Sequence, residues 1–162
     1  MFSEVVIPSS VTEIGDYAFY DCPYLESVTL PENIRRIGGY AFSHCGRLSE
    51  VNLPDTIETI PESCFKDCVS LKSIKLPAHS LSIEKNAFYN CPKLKTLNVT
   101  RKCDLGAYAF GFKDYLYDEG EEYAHANRKI SGATINVIYT QSDGTMESYI
   151  GAITDFADIY GI

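Results

Sequence analysis

Every 23 residues this chain repeats itself. Prolines stand at Pro8, Pro31, Pro54 and Pro77, phenylalanines at Phe19, Phe42, Phe65 and Phe88, and cysteines at Cys22, Cys45, Cys68 and Cys91. Phe2, Leu25, Leu48, Leu71 and Leu94 share a further phase, and Ile14, Ile37, Ile60 and Ile83 another. Five columns in register define a repeat protein. One such unit cannot bury its own apolar face, so units must stack and bury a continuous core between them. A fifth unit, one residue shorter, runs through Leu94, Leu97, Val99, Leu105, Ala109 and Phe110, with Lys113 where the cysteine column falls.

Each unit reads alike. In Leu25-Glu26-Ser27-Val28-Thr29-Leu30-Pro31 the apolar Val28 and Leu30 alternate with polar Ser27 and Thr29, the period of a half-buried strand. Proline then stops the pairing because it offers no N–H. A second extended piece centres on Ile34 and Ile37, Gly38-Gly39 allows a turn, and Tyr40 to Cys45 is long enough for one helical or 3₁₀ turn. The expected fold is a β-rich solenoid of about five rungs: 2–24, 25–47, 48–70, 71–93 and 94–112. Stacked at the usual strand spacing, these span roughly 20–25 Å.

These residues resemble the BspA-like leucine-rich repeat family. The match is carried by Leu25-x-x-Val28-x-Leu30-Pro31, Ile37-Gly38 and Ala41-Phe42-Ser43-His44-Cys45, and covers about residues 2–112. Commoner leucine-rich repeats carry an asparagine ladder where this chain has Ser10, Asn33, Thr56, His79 and Lys102, so no such ladder is expected. The resemblance implies a right-handed, curved parallel solenoid belonging to a secreted or surface-attached bacterial protein. It further implies an adhesive, host-contacting role without catalysis.

From Lys113 the register is lost, and nine acids against three bases place −6 of the total −8 charge in this last third. Glu121 to Arg128 reads as a short helix, Thr134 to Tyr139 and Met146 to Ile150 as strands around a Ser142-Asp143-Gly144 turn, and 152–160 as a last helix. A solenoid needs a cap over its open end, so 113–162 reads as an α+β C-terminal cap, or as the start of a further module. Phe2 already occupies the leucine phase. More repeats before it, or pairing of an exposed first rung, are the two expectations.

An acidic balance disfavours nucleic acid and anionic membranes, and no apolar run reaches the ~20 residues of a spanning helix. No cofactor or metal is expected. Four cysteines in one phase give parallel side-chain vectors, whereas a disulfide needs converging ones, so buried reduced thiols are expected. Cys64 replaces an alanine, Cys103 reads as inward, and Cys64 with Cys68 lacks the spacing of a zinc pair. His44, His79 and His125 are isolated, and His44 beside Cys45 has nothing to orient it as a base. Tyr17, Tyr40 and Tyr108 share a phase that suits packing at the core edge.

Alternation leaves two outward columns on the first strand of each rung: Glu4, Ser27, Glu50, Ser73, Thr96 and Val6, Thr29, Asn52, Lys75, Asn98. A protein or glycan partner is expected to bind there, around Ser27, Thr29, Glu50, Asn52, Ser73, Lys75, Thr96 and Asn98. The fallback locations are the turn edge around Arg35, Arg36 and His44, and the acidic C-terminal segment. The competing reading is a spacer that holds another domain away from the cell surface.

Overall fold

The structure, a computed structural model, describes residues 2–77, 81–94, 96–99, 104–105, 109, 136–140 and 146–149. Its elements follow the sequence period. The first strand of each rung is short: β1 (Glu4–Val6), β3 (Ser27–Thr29), β5 (Glu50–Asn52) and β7 (Ser73–Lys75). They form one parallel four-stranded sheet in the order β1-β3-β5-β7, with Glu4 opposite Ser27, Ser27 opposite Glu50 and Glu50 opposite Ser73. The second strands are β2 (Glu13–Ile14), β4 (Arg36–Ile37), β6 (Thr59–Ile60), β8 (Ser82–Ile83) and β10 (Asp104–Leu105). These pair in parallel as β2-β4 and, separately, as β10-β8-β6. The expected parallel solenoid is present.

The core is a set of columns. Phe42, Phe65 and Phe88 are buried, and Phe19 packs against them partly buried. Successive rings lie nearly parallel, with centroids 5.2, 5.5 and 5.4 Å apart from Phe19 to Phe88. Such a separation follows from the rung spacing, and stacked aromatic pairs add about 0.5–1.5 kcal/mol each beyond burial. Val28, Leu30, Val51, Leu53, Ile74 and Leu76 point inward from the first strands, as alternation predicts, and Ala41, Cys64 and Ala87 allow the turn to sit close.

The turn segment forms where expected, as a run of i→i+3 turns. It is neither an α-helix nor a continuous 3₁₀ helix. Local i→i+3 bonds, such as Ser43 N–H to the Tyr40 carbonyl (3.1 Å), alternate with bonds to the next rung, such as Phe42 N–H to Cys64 (2.9 Å) and His44 N–H to Lys66 (2.8 Å). Donating every second N–H to the neighbour leaves no continuous helical ladder. Two left-handed positions per rung make this possible. Tyr17, Tyr40, Ser63 and Asn86 form one column with φ between 54° and 59°, and Asp21, His44, Asp67 and Asn90 a second between 53° and 62°. Asp, Asn and His tolerate this region better than other side chains do.

The thiols also form a column. Sγ of Cys45, Cys68 and Cys91 each donates to the carbonyl of the phenylalanine 26 residues earlier, Phe19, Phe42 and Phe65, at 3.1 Å. The five described cysteines, Cys22, Cys45, Cys64, Cys68 and Cys91, are free. Burial pushes the Cys45 thiol up from its ordinary 9.0 to about 12, and pushes those of Cys64, Cys68 and Cys91 up as well. Because the folded state holds these groups protonated, their contribution is whole below about pH 9 and is lost as pH climbs toward 12. We expect slow modification by a thiol reagent in native protein, fastest at half-buried Cys22, and six reactive thiols after denaturation without reductant. Recovery of two or fewer would mean the column is bridged. A urea midpoint unchanged between pH 8 and pH 11 would contradict the alkaline loss.

Farther along the chain, β9 (Thr96–Val99) pairs in parallel with β11 (Asn136–Thr140), which pairs antiparallel with β12 (Met146–Tyr149). The expected hairpin is present. The expected helices at 121–128 and 152–160, the 142–144 turn, and Tyr108, Phe110, Cys103, His79 and His125 lie outside the described residues.

Candidate functional site

Three surfaces were open to a functional reading, and the sequence pointed first to the outward face of the first strands. There the structure exposes Thr29, Glu50, Asn52, Ser73 and Lys75, and leaves Ser27 half-buried. Register places Glu50 directly opposite Ser73, and Asn52 opposite Lys75, on adjacent strands. Each residue comes from a three-residue strand whose middle position, Val28, Val51 or Ile74, is anchored in the core. The side chains of Thr96 and Asn98 lie outside what is described.

Side chains hold neighbouring rungs together elsewhere. Asn33 Nδ2 donates to the Ser9 carbonyl at 2.7 Å, and Thr56 Oγ1 donates to the carbonyls of Glu32 and Ile34. The phase that lacks a uniform asparagine ladder therefore still links rungs through mixed side chains. In the second left-handed column Asn90 Nδ2 donates to Asp67 Oδ1 at 2.6 Å, and His44 Nε2 lies 3.5 Å from Asp67 Oδ2. His44 is thus part of a ladder between rungs with Asp67 beside its ring, although the sequence offered no group to orient it, and the Cys45 thiol is turned away to the Phe19 carbonyl.

The turn edge of the first two rungs carries aromatic rings. Tyr17, 55% exposed, stacks on Tyr40 at 4.9 Å, Tyr20 meets Tyr17 edge-on at 5.5 Å, and Arg47 lies over the Tyr24 ring at 5.3 Å. Packing at the core edge was expected of Tyr17 and Tyr40; the pair stacks, and Tyr17 faces solvent.

The remaining surface was located by sequence only as a fallback. Arg35, Arg36, Ile37 and Gly39 on one rung and Glu58, Thr59, Pro61 and Glu62 on the next line an open groove of about 500 Å³, with Glu84 at its far side. Arg36 pairs with Asp16 at 3.1 Å, and Glu62 accepts from the Tyr40 hydroxyl at 3.4 Å. His44, grouped with the arginines by sequence, is not among the lining residues. No group of three or more potential metal ligands occurs among the described residues, and none of their helices is long and apolar enough to cross a membrane.

A parallel stack of short strands flanked by buried leucines on one side and turns on the other defines a leucine-rich repeat solenoid. Residues 1–116 match the BspA type leucine-rich repeat region, in six copies against the five rungs counted from the columns, and the chain belongs to that family. It is similar to a leucine-rich repeat protein of T. pallidum, with 29% identity and a TM-score of 0.59 over 64% of this chain and 49% of that one. It is also similar to a leucine-rich repeat protein of Bacteroides ovatus, with 29% identity and a TM-score of 0.50 over 65% of this chain and 33% of that one. The chain thus spans about half the first structure and a third of the second. Among curated proteins none matches.

Proposed function

We propose that this chain is a non-catalytic binding module of a secreted or cell-surface protein, and that its ligand lies on the outward face of β1-β3-β5-β7. The observation that carries this reading is the register: Glu50, Asn52, Ser73 and Lys75 form one exposed polar patch on a sheet pinned from behind by Val51 and Ile74. A platform fixed in this way loses little freedom on binding. Its small polar side chains suit hydrogen bonding to an extended protein segment or a glycan. The secreted or surface location rests on the family alone. Residues 113–162 serve as the cap in this reading, supported by β11 continuing the parallel direction of β9.

The test is the charge-swapped variant Glu50→Lys/Lys75→Glu, screened beside wild type against immobilised matrix proteins and a glycan array. Exposed charges contribute about 0.2–1 kcal/mol each, so the pair should weaken binding roughly 2- to 30-fold. Unchanged binding by the folded variant would move the site off this face. A wild-type chain that captures nothing in a broad screen would favour the spacer reading.

A further inference from the structure

The second ladder breaks between β4 and β6, although these strands belong to successive rungs. On either side of the break one bond recurs. Gly38 N–H donates to the Ile14 carbonyl at 2.8 Å, and Glu84 N–H donates to the Ile60 carbonyl at 2.9 Å. The residue at that phase in the intervening rung is Pro61, which has no N–H to give to Ile37. The groove of about 500 Å³ lies over this seam, within the roughly 300–1,000 Å³ range of ligand clefts. Full rungs flank it on both sides, so it is not a product of the solenoid's open end.

Its walls differ in charge. Arg35 and Arg36 stand on one rung, while Glu58, Glu62 and Glu84 stand on the following ones. Arg36 is held by Asp16, Glu62 by Tyr40, and Glu84 Oε2 accepts the Glu62 N–H at 2.9 Å. The exposed side chains of Arg35 and Glu58, one on each wall, have no partner among the described residues.

We propose that this groove binds an extended peptide segment of a protein partner in which basic and acidic residues alternate. Successive side chains of an extended chain point to opposite sides. A segment lying along the seam therefore turns its basic residues to the glutamate wall and its acidic residues to the arginine wall. A uniformly basic segment would set like charge against Arg35, and a uniformly acidic one against three glutamates, which is how such a groove rejects both. This site is separate from the strand face, and either can stand without the other.

The experiment uses the full chain, ¹⁵N-labelled, at low ionic strength, titrated with an acetylated and amidated hexapeptide that alternates lysine and glutamate. Saturating shifts are expected at the Ile37, Gly39, Thr59 and Glu62 amides. Lysine–serine and glutamate–serine hexapeptides should bind at least fivefold more weakly. Arg35→Gln/Glu58→Gln, both exposed positions, should also lose at least fivefold, whereas Glu50→Lys/Lys75→Glu should bind the peptide unchanged. A second variant, Pro61→Ala, restores an N–H opposite Ile37; its amide should exchange slowly with deuterium and peptide binding should fall. Unmoved groove amides would overturn the proposal, as would equal affinity for the lysine–serine peptide. Undiminished binding by the Arg35/Glu58 variant would do the same.

Discussion

Phe65→Ala should cost this protein about 3–5 kcal/mol, read as a fall in the urea midpoint and as roughly 6–20 °C in Tm. Phe65 is wholly buried and lies between two parallel rings, Phe42 at 5.5 Å and Phe88 at 5.4 Å. Truncation removes the transfer energy of a ring, opens a cavity and breaks two stacked contacts at once. Collapse cannot close the gap, because the backbone on both sides is fixed by Phe65 N–H to Ala87 and Phe42 N–H to Cys64. Phe19→Ala is the internal control. Phe19 is only partly buried and has one stacked neighbour among the described rings, so its loss should cost less than half as much. Equal losses at the two positions would mean that the stack is not a continuous core.

The second large effect separates two glycines of the same phase. A β-carbon on Gly38 would sit 2.3 Å from the Asp16 nitrogen and 2.5 Å from the Gly15 carbonyl carbon, backbone atoms of the rung before. One on Gly15 would meet nothing within 4 Å. Neither requires a left-handed conformation, so the difference is one of space alone. Gly38→Ala has to push two rungs apart, straining the bond from Gly38 N–H to Ile14 and that from Gly39 N–H to Asp16 Oδ1, and should cost about 1–3 kcal/mol. Gly15→Ala should be neutral or stabilise by about 0.4–1 kcal/mol, by restricting the unfolded chain. Denaturant melts of the two single variants decide it, and a Gly38→Ala protein as stable as wild type would show that the rungs are not in such close approach.

Sequence and structure agree wherever a column of identical residues reports burial. Phe42, Phe65 and Phe88, the thiols, and the alternation of Val51 with Glu50 and Asn52 could all be read directly, because an apolar residue at a fixed phase admits few physical explanations. Backbone conformation was less legible. Asp21, His44, Asp67 and Asn90 at one phase were a usable sign of a left-handed column. In the other column tyrosine at two positions disguised the conformation, since aromatic side chains are not the ones expected at positive φ. Gly38 looked like a turn residue, whereas its place is set by contact with a rung 23 positions away. Of the candidate surfaces, the strand face followed from alternation alone. The groove did not, because Pro61 matters only when the missing N–H is compared with those of Gly38 and Glu84 across neighbouring rungs.

Two left-handed columns set four residues apart, recurring in every complete rung described, make the rung a unit of fixed length. For the gene this turns length into a counted quantity. Duplicating or losing a stretch of 23 codons keeps the aromatic stack, the thiols and both left-handed columns in phase, and changes only how many strands the outward face has. Losing one codon has no such freedom and must be absorbed inside a single turn of the chain. The described rungs contain one such short step: Ile60 pairs with Ile83, 23 residues on, but Ile83 pairs with Leu105, only 22 on. Phe88 N–H still finds the Ala109 carbonyl at 2.7 Å, so the shortfall is taken up before β10 and the pattern resumes behind it. A whole step of 23 residues adds or removes one strip of surface without disturbing the strips beside it.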